Sequence, residues 1–355
     1  MPSVVFIVPG RLSTLTGGSI YDRRMVEGLR QRGWSVLVRE LDGSFPQPRA
    51  DALDQASAVL AALPDGMTVI VDGLVLGAIP SLVSPHARRL RIVALVHLPL
   101  ADEVGLDTDS RRRLEASERC ALALSAGVVV TGRSTVGAIA GYGVQPERII
   151  LVEPGTDAAP VARGSGSATL QLLSVATLSP GKGHEDLVRA LSANRDRQWE
   201  LTCVGSVTRY PADAERLRRL LIAEGLDARV VLAGEFDREA LAACYDRSDL
   251  FVLATRRETF GMAVAEALAH GLPVVSTRTG SIPELVGEEA APDAAGLIVT
   301  PGDVGALTVA LSRALDDPGL RVGWRAGARR ARQRIHTWDT AVTRMIEALM
   351  VFKPA

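Results

Sequence analysis

The sequence predicts an α/β protein with two doubly wound domains that face each other across a cleft. Apolar runs of strand length alternate with longer helical patterns along the chain, which is typical of repeated strand–helix units. This alternation stops at a stretch rich in Gly, Pro, Ala and Ser, residues 157–168, and then restarts. With 355 residues and a hydrophobic fraction of 47%, the chain can build two cores rather than one.

The predicted strands are mostly continuous runs of Val, Ile and Leu, as expected for a parallel sheet that is covered on both faces. Those before residue 157 are Val4–Val8, Ser35–Leu41, Thr68–Val71, Arg91–Val96, Gly127–Val130 and Ile149–Val152. Those after residue 168 are Leu170–Ala176, Glu200–Val204, Ala228–Leu232, Leu250–Leu253, Pro273–Ser276 and Gly296–Val299.

Helical patterns separate these strands, and three further helical patterns close the chain. The predicted helices are Ser19–Arg32, Asp51–Leu63, Ser110–Leu124, Ser134–Tyr142, His184–Ala193, Asp213–Glu224, Arg238–Tyr245 and Ala263–Ala269, with Trp338–Met350 last. Ligands of such sheets bind at the carboxyl ends of the strands, so motifs at those ends are the first candidates for a site.

Charge and cysteine content exclude several classes of function. The net charge of −1 provides no global attraction to nucleic acid, and the clusters Arg111–Arg113 and Arg329–Arg330 fit solvated helix faces. The three cysteines, Cys120, Cys203 and Cys244, are widely spaced among apolar neighbours, which argues against a disulfide framework or a zinc site. We expect a reducing, cytoplasmic environment.

The chain shows no pattern of a secretory leader or of a membrane helix. Its first residues run directly into a strand pattern, and no apolar run reaches the ~18–20 residues that span a bilayer. We therefore expect no integral membrane segment, while a peripheral contact with a membrane stays open.

Residues 254–266, Ala-Thr-Arg-Arg-Glu-Thr-Phe-Gly-Met-Ala-Val-Ala-Glu, follow a buried strand and carry the most informative pattern. Glu258 lies in a short loop, and Phe260 and Gly261 open an almost wholly apolar helix. Glu266 lies in the middle of that helix, where an unpaired acid is costly. A helix N-terminus after a strand is a ready anion site. The segment therefore predicts a phosphate at the helix N-terminus and two carboxylates that bind hydroxyls, as a sugar nucleotide requires.

Glycines mark the turn that follows the first strand in each half of the chain. In Thr16–Ser19 the adjacent Gly17 and Gly18 allow a ligand to approach the backbone closely, with a flexible turn as the alternative. In the second half Lys182 lies between two glycines and can reach a diphosphate, with an exposed turn lysine as the alternative. Only two of the 40 basic residues are lysines, this one and Lys353, so a compact ammonium was kept here instead of a guanidinium.

Two further polar positions have both a chemical and a structural interpretation. His97 ends a strand, where its side chain would face the cleft, with a hydrogen-bonded histidine at a strand terminus as the alternative. Asp107-Thr108-Asp109 resembles an Asp-x-Asp metal clamp, but acids and Thr directly before a basic helix are better explained as N-cap residues. His184 is interpreted as a neighbour of a helix cap.

The ordered set of motifs resembles glycosyltransferase family 4, retaining enzymes of the GT-B fold with two Rossmann-like domains. Glu258, Phe260-Gly261 and Glu266 match the family signature, two glutamates separated by seven residues with Phe-Gly after the first. Gly17-Gly18 is similar to the glycine loop of the N-terminal domain, and Lys182-Gly183 to the Lys-Gly turn. The stretches 153–157 and 281–284 resemble the inter-domain Pro-Gly-x-Asp segment and the Gly-x-Pro-Glu loop.

The resemblance implies a role for each of these residues. Glu258 would hold hydroxyls of the donor sugar, Glu266 would bind the ribose, and Lys182 would neutralise the diphosphate leaving group. The N–H groups of Phe260, Gly261 and Met262 would approach sugar and phosphate, and His97 would lie beside the reaction centre. Residues 1–157 would form an acceptor-side domain joined by the C-terminal helix 338–355, and residues 168–335 a nucleotide-sugar donor domain.

One position departs from the family pattern. The family has an arginine in a Gly-Arg-Leu segment before the lysine, and this chain has Ala176-Thr177-Leu178 instead. The diphosphate therefore lacks one expected cation. Thr177 could donate a hydroxyl hydrogen bond to it, and Arg257 or Arg278 could supply the charge.

These features predict a retaining glycosyltransferase that moves a sugar from a nucleotide-diphospho-sugar to an acceptor hydroxyl. The acceptor would be a small molecule, a lipid or a glycan. The donor is a co-substrate, and we expect no cofactor and no divalent metal, because the helix N-terminus and Lys182 already supply positive potential at the phosphate. A GT-B sugar-nucleotide epimerase and a catalytically silent nucleotide-binding protein are the alternatives.

Overall fold

Two six-stranded parallel sheets organise the computed structural model, which describes residues 1–288, 291 and 293–352. Unit 1 comprises Met1–Gly155 with His336–Ala355, and unit 2 comprises Thr156–Ile335. The predicted doubly wound α/β class, with a Rossmann-like sheet in each half, is confirmed. The last three residues of the predicted helix 338–355, which include Lys353, lie outside the described residues.

Unit 1 contains the first six strands and seven of the helices. The strands are β1 (Ser3–Pro9), β2 (Ser35–Leu41), β3 (Thr68–Asp72), β4 (Arg91–Val96), β5 (Gly127–Val130) and β6 (Ile149–Leu151). The helices are α1 (Gly17–Gln31), α2 (Ala50–Ala61), α3 (Gly73–Leu76), α4 (Pro80–Val83), α5 (Thr108–Ala123), α6 (Arg133–Gly141) and α14 (Trp338–Val351).

The sheet of unit 1 has the order β2-β1-β3-β4-β5-β6, and helices cover both of its faces. Alternate side chains of β1 enter separate cores: Val5 and Ile7 join one, and Val4, Phe6 and Val8 join the other. This burial on both faces explains the continuous apolar runs. The helix α14 packs closely on α1, since a Cβ on Gly28 would overlap the side chain of Val342.

Unit 2 contains the other six strands and seven helices. The strands are β7 (Leu170–Val175), β8 (Trp199–Val204), β9 (Val230–Gly234), β10 (Leu250–Leu253), β11 (Val274–Thr277) and β12 (Gly296–Val299). The helices are α7 (His184–Ser192), α8 (Pro211–Ala223), α9 (Arg238–Arg247), α10 (Met262–Ala269), α11 (Ile282–Val286), α12 (Val304–Asp316) and α13 (Pro318–Ala331).

The sheet of unit 2 has the order β12-β11-β10-β7-β8-β9, again with all neighbours parallel. The central strand β10 shows the same division as β1. Leu250 and Val252 face one core, and Phe251 and Leu253 face the other. The chain order therefore runs outward from the centre of the sheet in both directions, which creates a switch point between β7 and β10.

Three local predictions are wrong. The first helix begins at Gly17 rather than Ser19, so Gly17 and Gly18 are its first residues and not a loop, because Thr16 caps the helix by accepting the Ser19 N–H. The segment Ser281–Glu284, predicted as a loop, enters the short helix α11, in which Pro283 occupies the first turn, where no N–H is required. Phe260 and Gly261 open α10 as predicted, with Gly261 as its N-cap, but the helix begins at Met262 rather than at Ala263.

The Gly- and Pro-rich stretch 157–168 contains no helix or strand, but it is tied to unit 2 by hydrogen bonds. The Ala162 N–H donates to the His270 carbonyl oxygen at 2.8 Å. The Ser165 N–H and hydroxyl donate to the two carboxylate oxygens of Asp249 at 3.0 and 2.6 Å. This segment is therefore part of the packed structure of unit 2 rather than a free tether.

No helix in the described part of the chain combines the length and the hydropathy that a membrane-spanning helix needs.

Candidate functional site

The switch point of unit 2 places Lys182 and Glu258 together. The first follows β7 and the second follows β10, the two strands between which the chain order reverses. Ligands of open parallel sheets bind outside the carboxyl ends of strands at such a point. The Lys182 Nζ lies 2.7 Å from the Glu258 Oε2. The two charges that the sequence singled out therefore form one ion pair.

This ion pair is partly shielded from solvent. The Lys182 side chain is 28% exposed and that of Glu258 is 17% exposed, so an oxygen-rich ligand can still reach both. The alternative of an exposed turn lysine does not fit, because the ammonium is held by a carboxylate from a neighbouring strand end. Charge-assisted contacts of this kind are about twice as strong as neutral hydrogen bonds.

A close backbone approach fixes the loop of Lys182 against the loop of Glu258. Gly183 has φ +65°, and a Cβ there would overlap the carbonyl oxygen of Ala254. The carbonyl oxygen of Gly181 accepts from the Thr255 hydroxyl at 3.1 Å and from the Arg256 N–H at 2.7 Å. Packing thus requires a glycine directly after Lys182, since only glycine tolerates this conformation without strain.

The N-terminus of α10 lies directly after Glu258 and Phe260. Gly261 is the N-cap residue with φ +95°, and it contributes no side-chain cap. The first turn of α10 carries no acid, so its positive end has no neutralising carboxylate of its own. A phosphate site at the N–H groups of Phe260, Gly261 and Met262 stays a prediction.

A second segment braces the loop of Glu258 from the side of β11. The Glu258 N–H donates to the Thr279 hydroxyl at 3.2 Å, and the Ser281 N–H donates to the Thr259 carbonyl oxygen at 3.1 Å. Gly280, with φ +56°, lets the two backbones come this close. The loop that offers Glu258 is consequently held from two sides.

Glu266 is not the lone acid that the sequence indicated. The Tyr245 hydroxyl of α9 donates to its Oε2 at 3.1 Å. Tyr245 also stacks on His270 with ring centroids 4.6 Å apart. Burial, and then the charge of Glu266, raise the pKa of Tyr245 well above its ordinary value, so the phenol stays a donor. Glu266 itself is half-buried on α10 and retains surface for a ligand.

Thr177, which stands where the family pattern has an arginine, is half-buried in the loop after β7. Of the two proposed replacement cations, Arg278 pairs with Glu288 at 2.6 and 2.9 Å, and Arg257 is exposed beside Glu258. Arg256 is held elsewhere, by a two-pronged contact with Asp186 at 2.8 Å on both arms.

His184 is the first residue of α7, directly after Gly183, and is 6% exposed. Burial, together with the charge of Lys182, lowers its pKa to about 4, so the ring is neutral at physiological pH. Within the described residues neither ring nitrogen has a hydrogen-bond partner. This histidine packs beside the site and does not offer it a charge.

The switch point of unit 1 gathers a second cluster, around His97. The sheet order reverses between β1 and β3, and Asp22 of α1, Asp72 at the end of β3 and His97 after β4 meet there. The His97 Nε2 lies 3.0 Å from an Asp22 oxygen and 3.5 Å from an Asp72 oxygen. In the described part of the chain this is the one group of His, Cys, Asp and Glu whose ligand atoms all lie within 4.8 Å of one another.

The sequence reasoning singled out His97 but missed both aspartates. Asp72 ends a strand at its carboxyl end, and that signal could have found it. Asp22 lies inside the predicted helix among other polar residues, where no local pattern distinguishes it. Gly18 has a role next to this cluster, because a Cβ there would come 3.2 Å from the His97 ring.

Asp107 is the N-cap residue of α5. Its carboxylate accepts from the Ser110 N–H at 2.7 Å and from the Ser110 hydroxyl at 3.0 Å. These hydrogen bonds lower the pKa of Asp107. Asp109 lies in the first turn of the same helix, where its charge favours the helix dipole. The capping interpretation of this pair of acids is the one that the structure shows.

Comparison with known proteins agrees with this architecture. The model of the family "glycosyl transferases group 1" matches residues 159–331, which contain Lys182, Glu258 and Glu266. Over these residues, just under half of the chain, the sequence is similar to the glycosyl transferases group 1 family. This match confirms the resemblance to a glycosyltransferase family that the motifs suggested, while the family number stays a prediction.

Curated relatives carry the similarity beyond unit 2. The MMP alpha-(1->4)-mannosyltransferase of Mycolicibacterium hassiacum is 27% identical over 326 residues, which cover 87% of this chain and 76% of that protein. The D-inositol 3-phosphate glycosyltransferase of Jonesia denitrificans is 30% identical over 224 residues, 58% of this chain and 52% of that protein. The match thus spans about half the length of the second relative.

Solved structures share the fold over nearly the whole chain. Sucrose-phosphate synthase from Thermosynechococcus elongatus has a TM-score of 0.82 at 21% identity, covering 99% of this chain and 98% of that one. Anabaena HepE in complex with UDP and glucose has a TM-score of 0.77 at 16% identity, covering 99% and 100%. At these identities the similarity establishes the GT-B glycosyltransferase fold.

Proposed function

We propose that this chain is a retaining glycosyltransferase that takes a sugar from a nucleotide-diphospho-sugar and passes it to an acceptor hydroxyl. One observation carries the proposal. A lone interior lysine and a glutamate of the family signature meet at 2.7 Å, at the switch point of the sheet and directly before an uncapped helix N-terminus. Positive potential, a carboxylate and backbone N–H groups are what a diphosphate and a sugar require together.

Each part of the donor would bind the protein groups that match its chemistry. Its diphosphate would take the Lys182 ammonium and the N–H groups of Phe260, Gly261 and Met262. The sugar hydroxyls would donate to Glu258, and the ribose hydroxyls to Glu266. In unit 1, His97 would bind an oxygen of the reacting sugar or acceptor. No cofactor is needed beyond the donor itself.

The transfer would break the bond between the anomeric carbon and the diphosphate oxygen and form a bond to the acceptor oxygen on the same face of the sugar. The departing diphosphate oxygen would take the proton of the acceptor hydroxyl. Lys182 and the helix N-terminus would stabilise the negative charge that develops on the leaving group, which is the largest catalytic contribution in many enzymes. Front-face substitution is favoured over a covalent intermediate because Glu258 is already engaged by Lys182.

The acceptor class is proposed from chemistry and from the relatives. One relative is named as a mannosyltransferase, and the other as a D-inositol 3-phosphate glycosyltransferase. Sugars and cyclitols with or without a phosphate are therefore the first acceptors to screen, followed by lipid and glycan acceptors.

The test is a donor screen followed by product analysis. Binding of UDP, GDP and ADP and of their hexose derivatives is measured by thermal shift and calorimetry, and the best donor is then incubated with the acceptor panel. We expect one nucleoside diphosphate to bind clearly better than the others. The product should carry the anomeric configuration of the donor, read from the proton coupling of C1. An inverted product would overturn the retaining mechanism, and epimerised donor without transfer would favour the epimerase.

A further inference from the structure

The cluster around His97 combines a partly exposed imidazole with two buried acids. The His97 side chain is 21% exposed, whereas those of Asp22 and Asp72 are 2% and 4% exposed. The imidazole is therefore the one member of the cluster that a ligand can reach readily. Both acids address the same ring nitrogen, Nε2, which leaves Nδ1 for a partner outside the cluster.

Packing holds the ring in one orientation. Gly18 of α1 lies close against it, since a Cβ there would come 3.2 Å from Cδ2, a tight contact. The Tyr21 ring meets the imidazole edge-on with centroids 5.2 Å apart, and its hydroxyl donates to the Val152 carbonyl oxygen at 2.9 Å. A half-turn of the ring about Cβ–Cγ would put Cε1 in the place of Nε2 and lose both contacts with the acids, so the observed orientation is favoured.

Electrostatics couples the members of the cluster. Burial, and then the charge of Asp22, raise the pKa of Asp72 to about 7. Burial by itself would lower the pKa of His97, but the charge and hydrogen bond of Asp22, with the charge of Asp72, raise it above the ordinary value. The acids therefore favour the protonated form of the ring that they hold.

We propose that Asp22 and Asp72 are positioning residues for His97: together they hold its Nε2–H and leave Nδ1 for a ligand oxygen or hydroxyl. The identity of the group that Nδ1 would address, on the reacting sugar or acceptor, rests on the proposed function. The arrangement of the cluster itself does not depend on the proposed function. The titratable groups shown to face the imidazole are Asp22 and Tyr21 of α1 and Asp72 of β3, and Tyr21 stays neutral because burial raises its pKa well above the ordinary value.

The first arm of the test reads the imidazole directly. The chain with ¹³C- and ¹⁵N-labelled histidine is titrated by NMR, and the His97 signals are assigned with His97→Gln. We expect His97 in the wild type to titrate above 6.5, with its Nε2 protonated throughout. Asp22→Asn should move its midpoint below 6.5, and Asp72→Asn should change it in the same direction by less. The exposed Asp54→Asn, on α2 of the same unit, is the matched control and should have no effect.

The second arm reads turnover with the donor found above. Asp22→Asn should lower kcat by roughly 10²-fold, the lower end of the range for a positioned proton donor, with little change in the KM of the donor. The pH profile should move in parallel with the NMR midpoint. The melting temperature of each variant shows whether a loss is merely structural.

The two arms separate failure of this inference from failure of the proposed function. A wild-type His97 that titrates at or below 6.5, or a midpoint that Asp22→Asn leaves in place, overturns the positioning role whatever the activity. The expected titration in a chain that binds no sugar nucleotide would leave the cluster as inferred and remove the proposed function instead.

Discussion

Lys182 and Glu258 neutralise each other across the ends of β7 and β10, and this pairing sets what each can do for a ligand. A diphosphate offers Lys182 a second negative partner, and sugar hydroxyls offer Glu258 donors that do not compete for charge. The carboxylate can therefore keep the ammonium oriented while both bind different parts of one donor. Removing either charge leaves the other half-buried and unpaired, which is costly.

The charge of Glu258 should matter more for turnover than for nucleotide affinity. Glu258→Gln keeps the shape of the side chain but removes the charge that holds the sugar hydroxyls and Lys182. We expect kcat to fall by more than tenfold, while the Kd of the bare nucleoside diphosphate, measured by calorimetry, changes much less. Glu288→Gln, which breaks a surface pair with Arg278, is the control. Undiminished turnover in Glu258→Gln would remove this residue from the site.

Glu266 should contribute to the binding of the ribose. Glu266→Ala is expected to weaken nucleoside-diphosphate binding by about 1.5–3 kcal/mol, as for loss of a hydrogen bond to a charged group. Tyr245→Phe removes the structural partner but keeps the carboxylate, so it should retain most of the affinity. A 2′,3′-dideoxy nucleotide should bind the wild type and Glu266→Ala equally in calorimetry. Equal losses in both variants with the normal nucleotide would assign Glu266 to packing instead.

At the residue scale the sequence indicated which side chains carry chemistry but not their partners. Lys182, Glu258 and Glu266 were found from rarity, position and cost of burial. Tyr245 was not, because it reaches Glu266 from α9, a different helix. Asp22 and Asp72 are 50 positions apart along the chain and meet only through the sheet order. Local patterns carry no information about such contacts.

The elements that offer the site are loops held by close backbone contacts. Gly183 and Gly280 each occupy left-handed backbone conformations where another main chain passes at van der Waals distance. These contacts fix the loops after β7 and β10 relative to each other. Precision of this kind matters, since catalytic groups need placement within a fraction of an ångström.

Gly183 should be far more sensitive than a glycine in the same conformation with open space. Gly183 and Gly225 both have φ +65°, but a Cβ on Gly225 would meet nothing within 4 Å. Both alanine variants bear the strain of the left-handed region, roughly 1–2 kcal/mol. Gly183→Ala should cost about 1–3 kcal/mol more in the free energy of unfolding, from overlap with Ala254. Chemical denaturation of the two variants measures the difference, and equal stabilities would show that the two loops are not packed as described.

Another element in unit 1 depends on a buried acid. Glu118 of α5 is 1% exposed, and its Oε2 accepts the Leu100 N–H at 2.9 Å, which anchors the turn that follows His97. Burial is the main cause that raises the pKa of Glu118 to about 8. The folded state therefore binds this proton more tightly than the unfolded state does. The resulting loss of stability begins near pH 4.5 and grows until about pH 8.

Glu118→Gln should stabilise the protein increasingly as the pH rises. The amide oxygen can still accept from Leu100, and no proton has to be taken up on folding. The gain should be small at pH 5 and reach the order of a few kcal/mol at pH 8, at about 1.4 kcal/mol for each pH unit. Melting temperatures at the two pH values measure it. Glu147→Gln, at an exposed glutamate of the same unit, serves as the control. A pH-independent difference would contradict the raised pKa.

Most of the regular elements could be predicted, because long strands and helices have periodic patterns. The structure contains all twelve predicted strands, with ends displaced by two residues at most. The short helices α3 and α4 were missed, since four residues cannot show a helical period. The starts of α1 and α10 were displaced because their N-caps, Thr16 and Gly261, define the first turn more precisely than hydrophobicity does.

At the scale of the whole molecule, one topological rule locates both clusters. Each unit is a parallel six-stranded sheet with one reversal of strand order, between β1 and β3 or between β7 and β10. The candidate residues of each unit gather at the carboxyl ends of the strands beside that reversal. The strand order that characterises this fold therefore also determines where the candidate residues lie.

The most direct test of the central claim is calorimetric binding of the preferred nucleoside diphosphate to the wild type, Lys182→Arg and Lys182→Ala, each in the presence of EDTA. The account predicts binding by the wild type without metal, a partial loss in Lys182→Arg because the guanidinium differs in size and shape, and a larger loss in Lys182→Ala. Turnover of Lys182→Ala should fall roughly 10²–10³-fold, as for loss of a group that stabilises developing charge. Equal affinity in all three proteins, or binding that vanishes with EDTA and returns with magnesium, would contradict it.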